Sequence, residues 1–130
     1  MKKQKKNGFS SWLINNTWDF FKFLFYAGYF FRTWAAFILA TIVHNFPDGQ
    51  QKAEKENLIS ICLEHLDDPE PVLRQWLAIA LGRTWDKYEK ARWRGVRDNA
   101  HEKLYDILQD PVPEVRKIYA FFESIILWPF

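Results

Sequence analysis

Residues 66–78, which read LDDPEPVLRQWLA, decide the fold of this chain. Pro69 and Pro71 lack a backbone donor and push the residues before them out of the helical region, so an incoming helix must end near Leu66. Asp68 can bond its own downstream backbone, and Pro71 has the φ angle that suits the first turn of a helix. The stretch therefore predicts a corner between two antiparallel helices.

The corner occurs a second time further along the chain. Residues 109–116 read QDPVPEVR and repeat the order of Asp, two prolines, an apolar residue and Arg. Arg74 and Arg116 are separated by the same interval as the two corners, and Arg32 lies the same interval before Arg74. The three arginines therefore occupy equivalent positions of a repeat. The interval falls within the period of HEAT and armadillo proteins, which is about 40–47 residues. The sequence therefore predicts an all-α fold, a HEAT/armadillo-type α-solenoid of antiparallel helix pairs.

Apolar periodicity and turn residues divide the chain into five predicted helices. FPDG at residues 46–49 is expected to form a turn, residues 86–94 a polar loop that leads to a break at Gly95, and Asp98 a helix cap. These helices make two full repeats and the second helix of a preceding one. We assign residues 1–28 to a divergent, aromatic-rich N-terminal segment and residues 29–127 to the solenoid. The helices are expected at about residues 30–45, 52–66, 72–85, 96–109 and 113–127.

The in-phase arginines are expected to stabilise the repeat rather than to bind a partner. Each lies at the same repeat position, and acidic corner residues recur at the same period. The hypothesis is a ladder of ion pairs between adjacent repeats, with Arg32 bound to Asp68 and Arg74 bound to Asp110. Arg116 occupies the third such position.

Basic and aromatic residues alternate between Arg83 and Arg97, which marks a candidate partner-binding surface. Such a stretch suits a protein interface, where Trp, Tyr and Arg dominate the binding energy. It also suits single-stranded nucleic acid, or a solvated loop whose tryptophans pack on neighbouring helices. Because Arg94 falls in the predicted loop, its removal is expected to change stability by no more than about 0.5 kcal/mol. The residues assigned to the surface are Trp85, Tyr88, Arg92, Trp93, Arg94 and Arg97.

The sequence contains no motif of an active site. One cysteine and three histidines lack the paired spacing of a zinc site, and phosphate-binding and nucleophile motifs are absent. Cys62 and His65 share a predicted helical face, but Cys62 falls within the apolar stripe and is interpreted as a core residue. We expect no catalytic residue, metal, cofactor or small-molecule substrate. The net charge of +2 is too small to indicate nucleic acid by itself.

Residues 23–43 leave a membrane anchor open as an alternative. This stretch carries a single charge, Arg32, and follows a lysine-rich start. An arginine at the centre of a spanning helix costs about 2.5–3.5 kcal/mol on insertion scales. Arg32 also shares its repeat position with Arg74 and Arg116, whose surroundings are too polar for a bilayer. A buried solenoid helix is therefore preferred over a small membrane-anchored protein with an N-terminal aromatic helix.

Four strings of the sequence resemble the Raptor family, the regulatory-associated proteins of TOR. They are AFILA at 36–40, NLISICLE at 57–64, LRQW at 73–76 and ARWRGVRDNAHEKLY at 91–105. The resemblance covers about residues 32–122 and implies a segment of that family's HEAT-repeat solenoid. It also implies a non-catalytic scaffold of TOR complex 1, whose partners are the TOR kinase and Rag GTPases. The implied location is the cytoplasm, with recruitment to the lysosomal surface.

The ends of the chain depart from this family. Residues 1–31 do not resemble it, and the similarity decays after Arg116. The family's caspase-like and WD40 domains do not fit within 130 residues. We therefore expect a fragment, a truncated paralogue or a gene model with foreign ends.

Overall fold

The structure is a computed structural model that describes residues 8–121, in which eight α-helices follow one another. Helices that follow one another along the chain pack against each other, and the predicted all-α architecture is confirmed. They are α1 (Gly8–Leu24), α2 (Tyr29–Ile42), α3 (Pro47–Lys55), α4 (Leu58–Glu64), α5 (Pro71–Trp85), α6 (Glu89–Arg97), α7 (Ala100–Leu108) and α8 (Pro113–Phe121).

The helices α2, α5 and α8 form one layer, in which α5 packs against both of the others. They begin at Tyr29, Pro71 and Pro113, which follow one another at equal intervals along the chain. Proline lacks the donor that a first helical turn leaves unused, so the two corner prolines start their helices at defined points. Leu73 and Leu77 of α5 are fully buried and lie one helical turn apart. The apolar face of α5 therefore holds the layers together.

The second layer contains broken helices where the sequence predicted continuous ones. The predicted helix at 52–66 is wrong in extent, because α3 already begins at Pro47 and α4 begins anew at Leu58. Asn57 separates them with a φ of 62°, and Asn99 separates α6 from α7 with a φ of 59°. Asparagine is enriched among residues that adopt the left-handed region, so each repeat is interrupted at the same point.

Residues 86–94 are not a polar loop, because α6 begins at Glu89. Gly95 does not break this helix but lies buried inside it. Asp98 does not cap α7 but follows α6, and its Oδ2 accepts a hydrogen bond of 2.6 Å from the Ser60 hydroxyl of α4. Likewise, Pro47 begins α3 where a turn was expected. Proline and glycine were interpreted as turn signals, whereas here they occupy the positions where a helix begins or approaches a neighbour closely.

The helix α1 packs against α2 and supplies the first helix of the leading repeat. Phe21 and Phe25 are buried, and Lys22 forms an ion pair of 2.9 Å with Glu56 between α3 and α4. The expectation that the leading repeat lacks its first helix is therefore wrong. The domain boundary between residues 28 and 29 stays a prediction, and residues 122–127 lie outside the described part of the chain.

Candidate functional site

The two arginine–aspartate pairs that the sequence predicts are present between adjacent repeats. Arg74 binds Asp110 with both ends of its guanidinium, at 2.7 Å from Nε to Oδ2 and 2.9 Å from Nη2 to Oδ1. Both side chains are buried. The Nε atom of Arg32 lies 3.1 Å from Oδ2 of Asp68, and this pair is more exposed than the pair of Arg74 and Asp110. Two planar hydrogen bonds fix orientation as well as distance, so the Arg74 pair sets the stacking of its two repeats.

Each arginine also binds backbone carbonyl groups of its own corner. Arg74 Nη1 donates to the carbonyls of Asp68 at 2.8 Å and Pro69 at 3.0 Å. Arg32 donates to Ala27 at 2.8 Å, and Arg116 donates to the Asp110 carbonyl. The prolines of a corner leave carbonyls without helical partners, and the guanidinium supplies the missing donors. One side chain therefore stabilises a corner and joins it to the next repeat.

The corner aspartates also stabilise both their own corner and the contact between repeats. Asp68 Oδ1 accepts the backbone N–H of Glu70 at 3.0 Å, and Asp110 Oδ1 accepts that of Val112 at 2.9 Å. Burial would raise the pKa of Asp110, but the hydrogen bonds from Arg74 and Val112 outweigh it and hold the pKa below the usual value. The carboxylate is therefore the form that the folded chain favours.

We expect acid to weaken the solenoid through Asp110. A carboxyl with a lowered pKa contributes stability that is present above the ordinary aspartate value of about 4 and lost as the pH falls through the folded-state pKa. Urea unfolding between about pH 6 and pH 3 measures this loss. Asp110→Asn should be less stable at the higher pH and should show a flatter pH dependence. An unchanged slope in that variant would contradict the assignment.

The structure separates the six residues assigned to the partner-binding surface. Trp85 is buried, and its ring lies against Gly95, where an added Cβ would come 2.7 Å from Cζ2. Arg92 Nε donates to the Trp85 carbonyl at 2.8 Å, and Tyr88 is half-buried. The side chains of Trp85 and Arg92 therefore join α5 to α6 instead of forming part of an open surface.

The expectation that Arg94 lies in a loop is wrong, because Arg94 is part of α6. Its Nη1 lies 3.1 Å from Oε1 of Glu54, a buried carboxylate of the preceding repeat. Arg94 also donates to the side chain of Asn57, next to the break between α3 and α4. Removing a partner of a buried carboxylate costs more than removing a surface charge. Arg94 thus acts as a second inter-repeat contact, which the sequence did not reveal because its partner lies 40 residues away.

Trp93 and Arg97 remain on the open side of α6, one helical turn apart and therefore neighbours on one helical face. Trp93 is 52% exposed, and its Nε1 lies 3.4 Å from Oε1 of Glu89 one turn earlier. The guanidinium of Arg97 approaches Asp98 only at 3.9 Å. We call Glu89, Trp93 and Arg97 the α6 ridge. Tryptophan and arginine are among the residue types enriched in the hot spots of protein interfaces.

Cys62 and His65 do not form a nucleophilic pair. Cys62 is buried, and burial raises the pKa of its thiol to about 12. His65 Nδ1 lies 2.9 Å from the carbonyl of Ile61, and its ring contacts Tyr26. A thiol with so high a pKa stays protonated and is a poor nucleophile near neutral pH. The contacts of both residues serve packing.

The sequence did not predict that α2 would leave an apolar face exposed. Phe30, Trp34 and Phe37 are exposed although α2 was expected to be buried. Their spacing of four and three positions was the available signal, since it places them on one face opposite the buried alanines. Within residues 8–121, none of the helices has the length and apolar character to cross a bilayer.

Stacked helix pairs that recur at a constant period, with ion pairs between repeats, define the chain as a HEAT-type α-solenoid, a class that offers extended surfaces to partners. No family model matches the sequence. The target of rapamycin complex 1 subunit mip1 of Schizosaccharomyces pombe is 45% identical over 99 residues, which make up 75% of this chain and 8% of mip1. The protein raptor homolog of Dictyostelium discoideum is 44% identical over 85 residues, 65% of this chain and 6% of the homolog.

The crystal structure of Chaetomium thermophilum Raptor superposes with a TM-score of 0.75 and 28% identity, over 90% of this chain and 12% of that one. The chain is thus a relative of the Raptor family and corresponds to a segment of its HEAT-repeat solenoid. It spans less than a tenth of the length of the two curated relatives named above.

Proposed function

We propose that this chain acts as a protein-binding scaffold in TOR signalling, through binding and without catalysis. The observation that carries the proposal is the similarity to a subunit of target of rapamycin complex 1 at 45% identity over 99 residues. The similar fold of a Raptor crystal structure supports it. The partners we propose are the TOR kinase and Rag GTPases, and the proposed location is the cytoplasm with recruitment to the lysosomal surface.

The α6 ridge is the contact surface that we propose for such a partner. Trp93 offers a large, exposed ring, and Arg97 offers a guanidinium that its nearest carboxylate, Asp98, approaches only at 3.9 Å. The nucleic-acid interpretation is less well supported, because Arg83, Arg92 and Arg94 direct their donors to acceptors within the chain. Phosphate binding needs cations that are free to meet the backbone of the nucleic acid.

Co-precipitation tests this proposal directly. The tagged full chain should retain the TOR kinase or a Rag GTPase when each is supplied as a purified protein. Trp93→Ala combined with Arg97→Ala should reduce the retained partner roughly tenfold or more, as expected for a hot spot. Tyr105→Ala is the matched control, since Tyr105 is an exposed aromatic residue on α7. Failure of the parent chain to retain either partner would reject the proposed function. Equal losses in the two variants would reject the α6 ridge as the contact surface.

A further inference from the structure

The side chains of Gln50, Glu54 and Ser60 hold α6 against the preceding repeat. We call these three residues the α3–α4 seam, since Gln50 and Glu54 belong to α3 and Ser60 belongs to α4. Gln50 and Glu54 are buried, and Ser60 is half-buried. A buried polar group that loses its partner costs free energy, so the contacts of these side chains constrain where α6 lies.

The seam is attached to both ends of α6. Gln50 Nε2 donates to the carbonyl of Asp86 at 2.7 Å, in the turn before α6. It also donates to the carbonyl of Arg83 at 2.9 Å, in the last turn of α5, where carbonyls lack helical partners. Directly after α6, the Ser60 hydroxyl donates to Oδ2 of Asp98 at 2.6 Å. The beginning and the end of α6 are therefore fixed to the preceding repeat.

Glu54 binds α6 between these two points through cations on one helical face. Its Oε1 lies 3.1 Å from Nη1 of Arg94, and its Oε2 lies 3.7 Å from Nζ of Lys90, four residues earlier. The backbone carbonyl of Glu54 also accepts a hydrogen bond of 3.3 Å from Arg94. Residues four positions apart share a face of a helix. Together with the Trp85 ring that packs on Gly95, the buried carboxylate therefore fixes the rotation of α6 about its axis.

This rotation determines where the α6 ridge points. Trp93 directly precedes Arg94, and successive residues of an α-helix project about 100° apart. When Lys90 and Arg94 face Glu54, Trp93 lies on a different side of α6, where its ring is exposed. The seam thus turns the ridge toward the solvent.

The helix α6 depends on contacts of this kind because it is weak by itself. It has nine residues, and isolated helices shorter than about 12–15 residues are marginal in water. Gly95 lies within it, and glycine is a poor helix former. The seam is not a general feature of the repeat, since one repeat interval later Arg92 and Val96 stand in place of Gln50 and Glu54. The order of α6 therefore comes from its neighbours, the seam among them.

We propose that the α3–α4 seam, with Glu54 at its centre, positions the α6 ridge, so that attachment of α6 to the preceding repeat and binding of a partner by the ridge are coupled. Loss of the Glu54 charge releases Lys90 and Arg94, and α6 then rotates and opens locally while α5 stays packed. Such a coupling is reciprocal, so a bound partner tightens the seam. The proposal deepens the scaffold function and rests on it for the partner, whereas the positioning is measurable on the chain alone.

Glu54→Gln tests the positioning without a partner, because glutamine keeps the size of the side chain and removes its charge. Amide hydrogen exchange in α6 should rise about tenfold, while exchange in α5 stays unchanged. The indole N–H signal of Trp93 in a nitrogen–proton NMR spectrum, assigned by its loss in Trp93→Phe, should shift. An equal rise of exchange in α5 and α6 would indicate general destabilisation and would overturn the proposal.

Glu56→Gln is the matched control. Glu56 lies two residues from Glu54 and also pairs with two cations, Lys22 at 2.9 Å and Lys52 at 3.6 Å, neither of which belongs to α6. The control should leave exchange in α6 as it is in the parent chain. Equal changes in the two variants would contradict the proposal, and so would a Glu54→Gln protein in which α6 exchanges as in the parent.

Ser60→Ala decides the matter if Glu54→Gln does not fold. It removes one half-buried hydroxyl and releases Asp98 at the end of α6. A rise of exchange that is confined to α6 would support the positioning by the seam. Exchange in α6 equal to that of the parent would overturn it.

Co-precipitation with the purified TOR kinase or a Rag GTPase tests the coupling. Glu54→Gln should reduce the retained partner about tenfold, and Glu56→Gln should not reduce it. Adding the partner to the parent chain should slow exchange at residues 50–57, which lie outside the ridge. Retention that Glu54→Gln leaves unchanged would overturn the coupling. A parent chain that retains neither partner would reject the proposed function, while exchange in α6 and the Trp93 signal would still decide the positioning.

Discussion

Replacing Arg74 by alanine is expected to lower the free energy of unfolding by about 3–5 kcal/mol, the cost of leaving a buried partner charge unpaired. Arg74 is 9% exposed and Asp110 7%, so water cannot replace the lost guanidinium without opening the contact between repeats. The substitution also removes the donor to the carbonyls of Asp68 and Pro69. Urea unfolding followed by circular dichroism measures the change.

The control for Arg74→Ala must be an arginine without a buried partner. Arg97→Ala meets this requirement, since Arg97 is exposed and its one ion pair in the described part of the chain is with Asp98 at 3.9 Å, and the substitution should change stability by no more than about 0.5 kcal/mol. Arg94 does not serve, because it binds the buried Glu54. Equal unfolding midpoints for Arg74→Ala and Arg97→Ala would refute the ladder.

A double-mutant cycle isolates the ion pair from the corner contacts. If Arg74 and Asp110 stabilise each other, the loss in the double variant Arg74→Ala with Asp110→Ala should be smaller than the sum of the single losses. The remaining loss then measures the carbonyl contacts of Arg74 and the backbone contact that Asp110 makes with Val112. Additive losses would show that the pair itself contributes little.

Gly49→Ala is the second substitution with a large expected effect, a loss of about 3 kcal/mol, at the upper end of the usual cost of overpacking. An added Cβ at Gly49 would lie 2.1 Å from the carbonyl oxygen of Ile42, so the backbone of α2 or α3 would have to move. The higher helix propensity of alanine, worth about 1 kcal/mol, would offset only part of this cost. Thermal unfolding of the purified variant measures the result.

Gly28→Ala is the matched control for the loss of a glycine. Gly28 precedes α2, and no atom lies within 4 Å of a Cβ added there. Its φ of −60° is accessible to alanine, so the variant should lose no more than about 1 kcal/mol, the typical cost of alanine at an N-cap position. A stable Gly49→Ala protein would show that α2 and α3 can separate without loss, contrary to the packing described.

The sequence by itself determined the periodic part of this protein. Two prolines at each corner start α5 and α8 at defined residues, and the constant offset places Arg74 opposite Asp110. Both features depend on local backbone chemistry and on a repeat that positions equivalent residues equivalently, so counting along the chain was sufficient.

Only the tertiary structure decided the roles of residues that lie between the periodic positions. Glycine and proline at 47, 49 and 95 look like breaks in the sequence, but the neighbouring backbone or ring gives each a place inside a helix. Trp85 is buried because its ring packs against Gly95 of the next helix. Arg94 joins two repeats because it binds Glu54, which lies 40 residues away in the sequence. Local preference does not specify which face of a helix meets another repeat, because that choice is made by burial summed over the whole stack.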